Sequence, residues 1–224
     1  PFAKDDTGAS GVDPATIDML KKGGAACSTT VIYPYEGTMF PGALTPPIIM
    51  WEGASDAAYV HMVYDQTDKV DYQFAVGAKP MGELQIPRDA WDEVTRRTNN
   101  QALKVTLSVL VGGTVSTCQL NWRVAPGNMV GALYYNTYQA PPPGVKDEGA
   151  VMRLSLGSTA EIYKQYMGAL SPIAAQGPCY SCHSVSFNGS TLVASYHDYS
   201  GAKAFRVEKY DVTQAVQPTA TGML

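Results

Sequence analysis

The chain has only four cysteines and three histidines in 224 residues, yet two of the cysteines and one histidine fall within five consecutive positions, Cys179-Tyr180-Ser181-Cys182-His183. Thiols and an imidazole at this spacing serve one of three chemistries: half of a zinc site, dithiol exchange, or attachment of a c-type haem. A structural zinc site takes four ligands, usually from two such pairs, but Cys27 and Cys118 are far apart in the chain and neither has a Cys or His beside it. Dithiol exchange of the thioredoxin kind belongs to a βαβ setting, and this chain lacks that alternation. Haem attachment needs only what is present. Two thiols two residues apart reach the two vinyl groups at one porphyrin edge, and the next residue holds its imidazole over one face of the ring. The spacing therefore points to Cys179 and Cys182 as thioether positions and His183 as an iron ligand of one covalent haem c.

The opposite face of such an iron decides what it does. A His or Met there shields the metal and favours electron transfer, whereas an open position admits oxygen or peroxide chemistry. His61 in "AAYVHMV" ranks first for this second metal-ligand position, followed by a methionine (Met62, Met152 or Met167) and then His197 in "ASYHDYS". His197 ranks low because the motif strand would have to fold back sharply to carry it there. The competing plain readings are a hydrogen-bonded sheet histidine for His61 and a turn residue for His197. Arg153 is the candidate for contact with the haem propionates, with Lys164 behind it; either can equally be a surface charge.

With the motif using two cysteines, Cys27 and Cys118 remain as an even pair, and a disulfide between them is expected, as in an oxidising compartment, the plain alternative being two unrelated buried thiols. The remaining composition agrees: 45% hydrophobic residues support a core, whereas charged residues are only 16% and Gly, Pro and 14 tyrosines are plentiful, the balance of a turn-rich β protein. A net charge of −4 gives no basic field for phosphates, so nucleic acid is not expected as a partner. No apolar run approaches the roughly 20 residues that span a bilayer, and the start, "PFAKDD", lacks signal-peptide order. A periplasmic or extracellular location, with the signal removed, follows from the cysteine usage.

The elements that must position these groups read mainly as β. Residues 1–29 form a leader, loosely held over its first 12 residues, with one short helix. There Asp13 caps, Pro14 opens, lysines fill the last turn and Gly23 ends it. Residues 30–140 carry short extended segments with turn residues about every ten positions, the spacing of an immunoglobulin- or fibronectin-like sandwich. Its clearest part is "KVTLSVLVGGTVSTCQLNW", a hairpin turning at Gly112-Gly113, with Val105, Leu107, Val109 and Val111 on the buried face. "IPRDAWDEVTRR" fits one helical turn or a wide loop around Trp91. Residues 141–224 begin with the stiff triple proline 141–143 as a linker. A helix over 158–168 follows, with a Ser158/Glu161 capping box, then the loop 171–178, the cysteine motif, and a strand pair over 192–196 and 205–210. The edges of that pair have nothing later in the chain to cover them, which points either to a longer polypeptide or to a strand from the sandwich or a partner subunit over the edge.

"PCYSCHSVSFNGSTLVAS", together with "IYPYEGTMFPG", "PPIIMW" and "IPRDAW", resembles a group of secreted bacterial proteins in which an immunoglobulin- or fibronectin-like domain precedes a CxxCH segment leading into a Tol-type β-propeller. The resemblance implies an exported, haem-attached protein in which "FNGSTLVAS" opens a propeller blade. The function this supports is electron transfer to or within a larger assembly, with a redox partner protein or repeated copies of the chain. The alternatives are a structural module of a surface or periplasmic scaffold stabilised by haem, and an oxidase or peroxidase if the iron is open.

Overall fold

The structure, a computed structural model, describes residues 1–98, 100–128, 130–137, 150–155, 161–164, 179–197, 205–212 and 222–223. It is mainly β and divides into two units, Pro1–Met129 and Val130–Leu224. No helix among the described residues is long and apolar enough to cross a membrane.

The first unit contains strands β1 (Phe2–Asp5), β2 (Ala25–Ala26), β3 (Val31–Tyr33), β4 (Met39–Gly42), β5 (Ile48–Trp51), β6 (Ala57–Tyr64), β7 (Val70–Val76), β8 (Gly82–Gln85), β9 (Leu103–Val111) and β10 (Thr114–Asn128). Two helices accompany them, α1 (Pro14–Lys22) and α2 (Arg88–Arg97). The larger sheet runs β1-β7-β6-β9-β10-β2, with β4 also on β10, and the smaller runs β3-β5-β8. Ile49, Trp51 and Leu84 of the smaller sheet share one buried cluster with Val60, Met62, Phe74, Leu107 and Trp122 of the larger. The two sheets therefore pack face to face as an immunoglobulin-like sandwich.

The hairpin forms as its sequence requires: Gly112 (φ 54°) and Gly113 (φ 80°) both take the left-handed region of a type I′ turn, and β9 pairs with β10 from Val111↔Thr114 to Leu103↔Trp122. Its burial is less simple than a single face. Val105, Leu107 and Val109 enter the sandwich core, but Val111 is exposed, while Leu110 on the other face is buried. The cause is α1, which lays Ile17 and Leu20 against Ala57, Tyr59, Ala75, Leu110 and Val115. That helix begins as expected, with the Asp13 carboxylate accepting from the Thr16 N–H (2.9 Å), and ends at Gly23.

Two expectations for this unit are corrected. The first residues are not a loose leader: β1 adds in parallel to β7, Phe2↔Val70 through Asp5↔Gln73, and Phe2 stacks on Tyr72 (5.8 Å between ring centroids). An exposed β7 edge would leave a row of unpaired N–H and C=O groups, which this segment satisfies. α2 is a ten-residue helix rather than a single turn or a loop. Ala90, Trp91 and Val94 give it a buried face, and Arg88–Asp92 and Arg97–Glu93 ion pairs line its outside. The disulfide Cys27–Cys118 is present, with Cα atoms 4.5 Å apart, and ties the segment carrying β2 onto β10.

The second unit contains β11 (Ala132–Thr137), β12 (Ala150–Ser155), β13 (Glu161–Lys164), β14 (Cys179–Val185), β15 (Thr191–His197), β16 (Phe205–Asp211) and β17 (Gly222–Met223). They form two antiparallel sheets, β11-β12-β13 and β14-β15-β16-β17. Val151 and Tyr163 of the first share a buried cluster with Leu192, Ala194 and Tyr210 of the second. Residues 130–137 thus belong to this unit, so the division falls before the proline segment. Where a capping box predicts a helix, residues 161–164 are a strand. Local cap preference is a weak prior, and the pairing of Glu161 with Arg153 and full burial of Tyr163 outweigh it. The rest of that helix, the triple proline and the loop 171–178 lie outside the described residues. The strand pair forms as read, but its edges are not bare: β14 pairs along β15, and β17 pairs with β16 at Glu208↔Met223 and Lys209↔Gly222.

Candidate functional site

The motif occupies β14, and a tight turn returns the chain to β15. In that turn the Gly189 N–H donates to the Ser186 carbonyl (2.8 Å), while the Asn188 side-chain oxygen accepts from both Ser186 Oγ (2.8 Å) and the Ser190 N–H (3.1 Å). Phe187 at the tip is fully exposed. The β14–β15 ladder is not continuous. Ser181 pairs with Ser195 and His183 with Ala194, so Cys182 is an extra residue in a β-bulge. Its φ of 44° is left-handed, a conformation that costs a non-glycine residue on the order of 1 kcal/mol. Strain of this kind persists where a particular side-chain placement is useful, and the residue carrying it here is an exposed thiol outside any disulfide.

His183 is half-buried and ties β14 to β11. Its Nε2–H donates to the Tyr134 carbonyl (2.9 Å), and Nδ1 meets the side-chain carboxamide of Asn136. Each ring nitrogen thus faces an oxygen, Nδ1 the Asn136 side-chain oxygen and Nε2 the Tyr134 carbonyl. No signal in "LYYNTY" points to this partnership, because it depends on a contact between strands 47 residues apart.

Arg153 lies on β12, where its Nε donates to Glu161 Oε1 (2.6 Å) and its guanidinium sits 5.1 Å from the centre of the Tyr163 ring. Burial opposes its charge, but hydrogen bonds to Glu161 and Tyr134 prevail and raise its pKa above the ordinary value. Its charge is therefore answered within the sheet. Tyr163 is fully buried, stands edge-on to Tyr134 (5.1 Å), and burial pushes its phenol up to about 12. The side chain of Lys164 lies outside the described residues.

His61 belongs to the first unit. Its Nε2 is 2.8 Å from Asp71 Oδ1 and its ring is tilted against that of Tyr59 (6.3 Å), which matches the reading of a hydrogen-bonded sheet histidine. Met62 is packed in the sandwich core and Met152 is buried on β12, while Met167 lies outside the described residues. His197 ends β15. The chain does fold back sharply after the motif, and the Cα partner of His197 is Cys179. Among the described residues no group of three or more His, Cys, Asp or Glu side chains is gathered as a metal site. An open groove of about 620 Å³ in the first unit, lined by Lys4, Asp6, Phe74, Val76, Lys79 and Gln85, carries no such group either. No protein-family model matches the chain, and no curated protein matches it.

For haem attachment the donor set fits in kind. Cys182 offers an exposed, unpaired thiol, His183 follows it directly, and Cys27 and Cys118 are already bonded to each other and do not compete.

Proposed function

We propose that the chain is an exported c-type cytochrome-like protein carrying one covalent haem and serving electron transfer to a redox partner or among repeated copies in an assembly. The observation that carries this reading is the exposed Cys182 thiol, held at a left-handed bulge directly before His183, in a chain whose other cysteine pair is spent in a disulfide. In this reading Cys179 and Cys182 hold the group through thioethers and His183 binds iron. The haem, when bound, supplies a one-electron couple. His183 must exchange its bond to the Tyr134 carbonyl for the metal, while Asn136 is positioned to keep orienting the ring, the role that outer partners of metal-bound histidines usually play. The Cys27–Cys118 disulfide supports a periplasmic or extracellular setting.

The test is co-expression with a c-type haem maturation system, followed by intact mass and visible spectroscopy of the full chain. The expected result is a mass one haem above the polypeptide and a spectrum of reduced haem c, both lost in Cys182→Ala with Cys179→Ala. A mass equal to the bare polypeptide refutes the reading. A second reading, a structural module of a surface scaffold, draws on the His183 contacts, which already join two sheets without any cofactor. It requires that His183→Ala weaken the fold of the haem-free chain.

A further inference from the structure

We infer that the outward face of the smaller sheet, β3-β5-β8, docks a partner protein that presents an apolar centre flanked by Arg or Lys side chains. The inference stands on the first unit alone and is independent of the haem reading. In a sandwich each strand alternates core residues with solvated, mostly polar ones. Val31, Ile49, Trp51 and Leu84 take the core positions here. The register then fixes the outward rows: Tyr33, Met50 and Glu83 lie side by side, and Ile48 lies beside Gln85. Tyr33, Met50 and Ile48 are thus large apolar or aromatic side chains at positions where polar residues belong. Ile48 is 42% exposed while the adjacent Ile49 is fully buried, so the strand has apolar residues on both faces and a partner layer on only one. The face extends past the strands. Tyr35 is 64% exposed and stands edge-on to Tyr33 with ring centroids 6.3 Å apart, and Met81, 67% exposed, directly precedes β8.

Charge decides what covers this face. β3, β5 and β8 carry no Lys or Arg, whereas Glu83 stands in the outward row and Glu52 directly follows β5. Both carboxylates are exposed, and neither is ion-paired among the described residues. Carboxylates bordering an apolar surface repel an anionic lipid headgroup or a nucleic-acid phosphate and attract a cation. A second copy of the same face would add carboxylates to carboxylates, and like charges across an interface cost affinity. A small molecule needs a concave site, which one face of a three-stranded sheet does not form. A basic protein surface meets each of these requirements. Tyr, Met and Arg are the residues enriched where proteins meet. A guanidinium laid on the Tyr33 or Tyr35 ring gains a cation–π contact while its charge answers Glu83, and the flexible Met50 side chain between Tyr33 and Glu83 adapts to the apolar group above it.

Panning a random-peptide display library against the full-length chain supplies the probe, and the most enriched peptide is then titrated at low and high salt. The expected consensus sets Arg or Lys beside aliphatic or aromatic residues. Tyr35→Ser combined with Met81→Ser, both at exposed positions outside the core, is expected to weaken binding roughly tenfold or more. Glu52→Gln with Glu83→Gln is expected to weaken it several-fold and to remove most of its salt dependence. Circular dichroism and urea unfolding check that the two double variants fold as the parent does. Enriched peptides without basic residues, a peptide that binds the Tyr35→Ser, Met81→Ser chain as it binds the parent, or a library with nothing enriched over the bare support each overturn the inference. So does a parent chain that sediments as a dimer and becomes monomeric in Ile48→Glu, because the occupant is then a second copy.

Discussion

The Cys27–Cys118 bridge closes a loop of 91 residues, and that span allows its contribution to be worked out. In the chain-entropy description, a cross-link over a loop of this size removes about 4.5 kcal/mol of disorder from the unfolded state at 25 °C. The perturbation is Cys27→Ser. Cys27 is exposed, so its replacement opens no cavity, and the remaining Cys118 thiol is buried on β10 as a small apolar group. The contacts of β2 with Ser116 and Thr117, and the hydrogen bonds from the Ser28 and Thr29 N–H groups to Ser116 Oγ, survive the change. The expected loss is about 2–5 kcal/mol, the range seen when a native disulfide is removed. For a unit of about 130 residues that is roughly 7–18 °C in melting temperature. Urea unfolding of the parent chain, with and without reductant, and of the variant measures it. The parent in reductant and the variant should coincide. A loss below about 1 kcal/mol would refute the reasoning, since the unfolded chain would then already hold residues 27 and 118 together.

Three further outcomes follow from the packing and charges. Gly82 lies opposite Trp51, and a Cβ there would stand 2.3 Å from the Trp51 carbonyl oxygen and 2.7 Å from its indole nitrogen, so Gly82→Ala is expected to separate β5 from β8 at a cost of about 1–3 kcal/mol, read by denaturant unfolding and tryptophan fluorescence. Trp91 is fully buried with Phe40 edge-on at 5.2 Å, and Trp91→Ala should cost about 3–5 kcal/mol in the same assay. The Lys21 ammonium, then the Thr7 hydroxyl, hold the Asp5 carboxyl down at about 2, below its ordinary value of 3.8. The stabilisation is therefore complete above about pH 4 and lost as pH falls toward 2. Asp5→Asn should cost at most about 1 kcal/mol at neutral pH, because both side chains are solvent-screened, and should flatten stability between pH 4 and 2.

What could be read from the sequence was what neighbouring residues decide among themselves. Gly112-Gly113 can close a tight hairpin whatever surrounds it, Asp13-Pro14 starts a helix, and scarce cysteines leave few pairings, so the hairpin, α1 and the Cys27–Cys118 bridge were all legible. The cluster of Cys179, Cys182 and His183 is visible for the same reason, since it is a matter of spacing alone. Expectations failed where a distant partner decides. Residues 1–12 are mostly small or polar and read as loose, yet residues 2–5 become a strand because β7 has an edge to fill. Residues 161–164 carry a helix-cap signature and become a strand because Arg153 and the buried Tyr163 ring hold them there. The partners of His183 depend on one extra residue in β14, and no periodicity announces a bulge at a cysteine.

Within the first 42 residues β1 completes the β7 edge of the larger sheet, β2 and β4 lie along β10, and β3 joins the smaller sheet. Since β10 ends at Asn128, the part of the chain made first has nothing to pair with on that side until some 90 residues later have been made. Cys27 likewise waits for Cys118. On the β10 side the larger sheet is therefore completed by segments made well before their partner, whereas β1 has its partner as soon as β7 is made. Until β10 is made, β2 and β4 wait without their partner strand, and the covalent bond that follows makes their closure onto it permanent.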